Sequence, residues 1–109
     1  MSHIREKQIM VMSTLSIQKT HLADLLYEKA NARSDLMNLK NVRAKYRRDI
    51  DMASLQGGLL SKPALMHDYD ETTELIDKTN KDVMQKRMQL DTLLNKIKIT
   101  EQLLSEFHV

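Results

Sequence analysis

The sequence has no cysteine and no tryptophan, one proline and two glycines in 109 residues. Each shortage excludes something. Without cysteine there is no disulfide framework and no thiolate metal site, and a reducing compartment is the natural setting. With aromatics at 4%, the bulky anchors of a packed α/β core are missing, while charged residues reach 29%. That mix fits a helical rod or assembly piece better than a globule. No run of residues approaches the length and apolarity of a membrane span, and the first residues lack signal-peptide character. The default expectation is therefore cytoplasm or cytoskeleton.

The few helix breakers are concentrated in one place. Gly57, Gly58 and Pro63 fall within seven residues of each other. Two adjacent glycines free the backbone to leave helical φ/ψ. Pro63 has no N–H and disfavours the α region at Lys62, so a helix can begin at Pro63 but not run through it. The expected fold class is all-α: two long coiled-coil helices separated by a Gly-Gly...Pro break. The boundaries are residues 1–56 for helix one, 57–62 for the break and 63–109 for helix two.

What fills those helices is a seven-residue repeat. In helix one, position a falls on Met1, Gln8, Leu15, Leu22, Lys29, Leu36, Arg43 and Ile50. Position d falls on Ile4, Val11, Gln18, Leu25, Ala32, Leu39, Tyr46 and Ala53. Twelve of these sixteen are apolar, which argues for a coiled-coil seam. The four polar members either fix register and partner choice or are tolerated because long stems lie along a seam with their polar heads in water. In helix two, row a is Tyr69, Ile76, Val83, Leu90, Ile97 and Leu104, all apolar. Row d is Leu65, Thr72, Thr79, Lys86, Leu93, Thr100 and Phe107, half of it polar, so the seam is narrow. β-branched residues in row a lean towards a parallel two-stranded coil. A helix of 56 residues would span roughly 80 Å and cannot bury its own stripe, so it needs a second helix from this chain or from a partner. The expected partner interface is Leu15, Leu22, Leu25, Leu36, Leu39, Tyr46, Ile50, Leu65, Tyr69, Ile76, Val83, Leu90, Leu93, Ile97 and Leu104.

Charge is divided unevenly. Residues 1–56 carry 10 Lys and Arg against 6 Asp and Glu, a net +4, while residues 57–109 carry 7 against 9, a net −2. Lys40, Arg43, Lys45, Arg47 and Arg48 form a basic cluster, and Asp68, Asp70, Glu71, Glu74 and Asp77 load the opening turns of helix two with negative charge. Those carboxylates suit the positive end of the helix dipole. In an antiparallel hairpin residues 71–77 would lie beside residues 43–48, whereas in an extended rod they would need partners from another chain. The basic cluster has two readings: an anionic partner such as nucleic acid or the acidic surface of tubulin, or a solvated helix face. Helical spacing spreads the charges round the cylinder and no aromatics interleave for base stacking, so the second reading is preferred.

Constellations that carry chemistry are missing. His67, Asp70 and Glu71 share the i, i+3, i+4 spacing of a metal site, but no second cluster completes it. Asp68, Tyr69 and Asp70 begin like a calcium loop without its glycine and bidentate glutamate. Gly57 and Gly58 are not followed by a phosphate-loop lysine. No serine or threonine stands in a nucleophile elbow. The expectation is no enzyme, no cofactor, no metal and no small-molecule substrate.

The stretch Gly58, Leu59, Leu60, Ser61, Lys62, Pro63, Ala64, Leu65, Met66, His67, Asp68, Tyr69, followed by a heptad helix, resembles the C-terminal coiled-coil domain of a family of cilia- and flagella-associated coiled-coil proteins. In that family a Gly-Leu-Leu segment, a proline or small-residue step, and an Asp followed by an aromatic interrupt two long helices. The resemblance implies a non-enzymatic axonemal or basal-body scaffold. It implies an extended heterodimer tying regulatory complexes, such as radial spokes and the nexin–dynein linker, to doublet microtubules. Members run to several hundred residues, with this domain near the C-terminus. The expected partner is another coiled-coil protein, in a hetero- or homodimer, with tubulin or axonemal complexes beyond it. Two other functions stand beside this one: a self-contained antiparallel hairpin acting as an adaptor or chaperone-like subunit, and a nucleic-acid binder using residues 40–48.

Overall fold

A computed structural model of the chain describes residues 2–57 and 62–107. It consists of two long coiled-coil helices, α1 (Ser2–Leu55) and α2 (Lys62–Ser105). No glycine or proline lies inside α1, so nothing interrupts its i→i−4 ladder. The end of α1 is set by its last turn. Gln56 N–H still donates to the Met52 carbonyl at 3.0 Å, and Gly57 then turns to φ +72°. That is the left-handed conformation a glycine adopts without penalty just past a helix end. Gly58 lies outside the described residues, as do Leu59, Leu60 and Ser61.

Helix α2 opens at Lys62, one residue before Pro63. Proline is accommodated there because the first turn's N–H groups have no intrahelical acceptor in any case. That first turn contains no acidic residue. Asp68, Asp70, Glu71, Glu74 and Asp77 stand further along, beyond the single turn over which the helix dipole acts. Their expected dipole role therefore does not apply. At the other end α2 tightens: Glu106 and Phe107 N–H donate to the Leu103 and Leu104 carbonyls, three residues back, at 3.2 and 3.1 Å.

The seven-residue rows account for the burial pattern. Along α1, the shielded residues are Gln8, Val11, Leu15, Gln18, Leu22, Leu25, Lys29, Ala32, Leu36, Leu39, Arg43, Tyr46, Ile50 and Ala53. Among the described residues of that helix only Asp49 is shielded outside those rows. Ile4, a row member by spacing, is 60% exposed. Along α2, every described row member from Leu65 to Phe107 is shielded, joined only by Lys62, Asp68 and Thr73.

The polar row d of α2 is reconciled with burial by local hydrogen bonds. Thr72 and Thr100 are 6% and 7% exposed. Their hydroxyls donate to the carbonyls of Asp68 and Lys96, four residues back, at 2.8 and 2.9 Å. Thr79 does the same towards Leu75 at 2.8 Å. A buried hydroxyl satisfied by its own helix leaves its methyl group free to pack in the seam.

The chain divides into two compact units. The first comprises Met1–Lys29 and Gln85–Val109. Leu25, Leu90, Leu93 and Ile97 form its buried cluster, with Leu15 and Leu22 packed against it. The second comprises Ala30–Met84. Its buried side chains are Ala32, Thr72 and Ile76, and the rest of its seam is half-buried.

Candidate functional site

The surfaces that matter in two paired helices are the seam between them and the rows that flank it. In the first unit the pairing is antiparallel. Lys19 Nζ lies 4.0 Å from Glu101 Oε1, and Lys86 Nζ lies 2.9 Å from Glu28 Oε2. Moving forward along α1 from residue 19 to 28 therefore means moving backward along α2 from 101 to 86. In the second unit one groove is lined by Arg47, Ile50, Asp51 and Ser54 from α1 and by Lys62, Met66, Tyr69 and Asp70 from α2. The last turns of α1 there lie beside the first turns of α2, again antiparallel.

The seam is thus occupied from within the chain. Leu15, Leu22, Leu25, Leu90, Leu93, Ile97 and Leu104 line it in the first unit. Leu36, Leu39, Tyr46, Ile50, Leu65, Tyr69, Ile76 and Val83 line it in the second. These residues meet the other helix of their own chain, in the antiparallel sense and not in the parallel sense that β-branched row a favours. The reason is connectivity. A short break makes the second helix of the same chain the nearest available cover, at an effective concentration no separate chain matches. A partner that leaves each hairpin closed has to use what flanks the seam.

The flanking charges are arranged differently in the two units. Lys86 is a row-d residue whose side chain is 24% exposed, and its ion pair with Glu28 sits at the edge of the apolar cluster. In the second unit, no ion pair among the described residues joins residues 40–48 to residues 68–77. The hairpin placed the two groups side by side, yet Arg47 Nε lies 3.9 Å from Asp51 on its own helix, and His67 Nε2 lies 3.1 Å from Glu71 on its own. The five basic residues do not form one patch. Arg43 is drawn half into the seam, Lys40 and Arg47 are exposed one heptad apart along one side of α1, and Lys45 and Arg48 are exposed on other sides of it.

Among the described residues no group of three or more His, Asp or Glu is disposed to hold a metal ion. His67 and Glu71 approach each other, but as an exposed pair on one helix. Among the described residues no helix is long and apolar enough to cross a membrane.

One polar atom in the seam was not anticipated from spacing. Gln18 Oε1 is buried and accepts no hydrogen bond. Gln18 immediately precedes Lys19, and Thr100 immediately precedes Glu101, so the Lys19–Glu101 pair puts both in one polar layer. Thr100 spends its hydroxyl proton on its own helix, which leaves Gln18 without that donor.

Against this geometry, the family model of the CCDC113/CCDC96 coiled-coil domain matches residues 1–101. The chain belongs to the CCDC113/CCDC96 coiled-coil family. No match was found among curated proteins or among solved structures. Membership in the CCDC113/CCDC96 family agrees with the heptad rows and their shielding, and it makes the chain a structural coiled-coil protein. The match runs across the break and most of both helices, taking in the whole second unit and the first as far as residue 101.

Proposed function

We propose that the chain is a non-enzymatic structural element of the ciliary or flagellar axoneme. It joins another coiled-coil protein and through it links regulatory complexes to doublet microtubules. The observation that carries this reading is the family match over residues 1–101, taken together with heptad rows that account for nearly all the shielding in both helices. The resemblance of residues 58–69 to cilia-associated coiled coils supports the location. Regulatory complexes on a microtubule lattice need spacers of fixed length, and a coiled coil supplies length with little core.

Expressing the full chain with a small tag in a ciliated cell, then fractionating axonemes and cross-linking, tests this directly. Enrichment in salt-stripped axonemes with cross-links to a second coiled-coil protein is the expected result. A chain that stays in the soluble fraction, with no axonemal cross-links, overturns it.

One observation favours a second reading. The apolar strip is covered by the chain itself, as a self-contained hairpin adaptor requires. Spin or fluorescent labels at residues 15 and 104 separate the two. They stay close on partner binding if the hairpin is the working form, and they move apart if the partner replaces α2 along α1. Nucleic-acid binding through residues 40–48 is the weaker alternative, because the charges there are dispersed and Arg43 is half-buried. Affinity for nucleic acid that falls steeply with salt would revive it.

A further inference from the structure

The second unit carries opposite charge on its two helices. Residues 30–55 hold six Lys and Arg against three Asp, and residues 62–84 hold three Lys against six Asp and Glu. On the side of the hairpin that bears the groove, this imbalance is ordered. Arg33, Lys40 and Arg47 repeat at intervals of seven along α1, all exposed. Asp70 and Asp77 repeat at the same interval along α2, also exposed. Arg47 and Asp70 line the same groove and so stand at one level of the hairpin. Because the helices are antiparallel, one heptad back along α1 and one heptad forward along α2 reach a common level again, at Lys40 and Asp77.

We propose that this face of the Ala30–Met84 unit docks against the same face of a second copy of the chain. The two-fold axis runs parallel to the helices. Rotation about that axis keeps every residue at its own level and places α1 of one copy over α2 of the other. Arg47 then faces Asp70 of the second copy, Lys40 faces Asp77, and symmetry doubles both pairs. An axis perpendicular to the helices would put the basic row of α1 over its own copy, so charge selects between the two arrangements. Self-complementarity of this kind is what an isologous interface requires. It also selects a second copy over an unrelated acidic helix, which would satisfy the basic row but bring like charge against Asp70 and Asp77.

Two further observations fit. Among the described residues no ion pair joins the basic row to the acidic row: Arg47 pairs with an exposed Asp51 on its own helix, at 3.9 Å, a contact easily exchanged. The same side also presents apolar material, Met84 in the row of Asp70 and Asp77 and Met37 and Met66 one turn from the charged rows. Met37 is 67% exposed, Met84 65% and Met66 48%, and these unbranched side chains fill the irregular gaps between stacked helices.

This interface deepens the reading of the chain as an assembly element and rests on it. The test is sedimentation equilibrium of the full chain from dilute to concentrated solution, at low and high salt. The expected mass rises from 12.7 kDa towards twice that value, and the association weakens as salt is added. The triple variant R33E/K40E/R47E and the double variant D70K/D77K each associate at least about tenfold more weakly alone. An equimolar mixture of the two restores the dimer, because opposite charges again face each other. The proposal is overturned by a wild-type chain that stays at 12.7 kDa throughout, by variants that associate as well as wild type, or by a mixture that stays monomeric. If a variant loses helicity by circular dichroism, the salt series on wild type decides, and salt-independent association counts against the interface. A monomer still retained in axonemes sinks this interface and leaves the scaffold standing. A salt-sensitive dimer absent from axonemes supports the interface and sinks the scaffold reading.

Discussion

The unit formed by Met1–Lys29 and Gln85–Val109 closes its seam with leucine and isoleucine and ties its helices with two cross-helix ion pairs. The unit Ala30–Met84 closes its seam with Ala32, Thr72, Ile76 and half-buried residues, and ties its helices with no ion pair among the described residues. The same seven-residue rule runs through both, so the rule does not set how firmly a stretch is held. What differs is which row side chains are fully covered: leucine and isoleucine for the most part in the first unit, alanine and threonine beside Ile76 in the second, whose larger row members stay half-buried. Burial of apolar area contributes about 25 cal/mol per Å², and alanine and threonine offer little of it. The first unit is built for cohesion. The second leaves opposite charges on its two helices without a cross-helix ion pair among the described residues, where another molecule can meet them.

The sharpest way to break this contrast is to charge the cohesive seam. Leu90 is 5% exposed and belongs to the buried cluster. Leu90→Asp buries an unpaired carboxylate and should cost several kcal/mol. We expect residues 85–105 to lose protection from hydrogen exchange together with residues 2–29. Unchanged exchange rates in both segments would show that the cluster is not what holds the unit.

A milder change measures the gradient itself. Leu93→Ala removes a side chain that is 7% exposed, and a cost of roughly 2–5 kcal/mol is expected for a well-buried leucine. Leu39→Ala, in the half-buried seam of the second unit, should cost less than half as much, read from urea unfolding of the two variants. Equal losses would mean the two seams are packed alike.

How much of this was legible beforehand follows from what heptads encode. Spacing names the rows, and the shielded residues in both helices fall on them almost without exception. Gly57 was legible as a helix stop for the same reason it takes positive φ, its missing Cβ. Direction was not legible: β-branched residues in row a lean parallel, but chain connectivity decides. The pairing of residues 43–48 with residues 71–77 was a reasonable inference from opposite charge. The hairpin does set the two groups side by side, but the ion pairs formed there among the described residues lie within one helix, as Arg47 and Asp51 do. Gln18 was legible as a polar seam residue, but its buried, unbonded oxygen depends on which residue stands across from it.

That oxygen supplies the third prediction. Gln18→Leu removes a buried acceptor without a donor and adds apolar area to the cohesive unit. A gain of about 1–2 kcal/mol is expected. A loss would mean that Gln18 holds a solvent molecule the seam depends on. Gly57→Ala acts at the edge of the other unit and is of comparable size with opposite sign. Nothing lies within 4 Å of the added Cβ, so the cost is the left-handed backbone alone, about 1–2 kcal/mol. Gly57→Asn should recover part of it, since asparagine tolerates that conformation better than alanine. Equal melting temperatures for all three residues would show that the turn relaxes to negative φ.

The smallest effects separate the two cross-helix ion pairs described in the cohesive unit. Lys19 and Glu101 are 58% and 53% exposed at the side chain and 4.0 Å apart, so Lys19→Met should move stability by no more than about 0.5 kcal/mol and less in high salt. Lys86 is 24% exposed, occupies a row position and holds Glu28 at 2.9 Å. Its ammonium gives up more water to sit there. Replacing it with an apolar side chain of similar length removes that cost, while Glu28 stays half exposed and hydrated. Lys86→Met is therefore expected to be neutral or stabilising by about 1 kcal/mol, with little salt dependence. Thermal melts of the two variants at low and high salt decide it. A clear loss on Lys86→Met would mean that the close pair contributes net cohesion, and that this unit is held by charge as well as by its leucines.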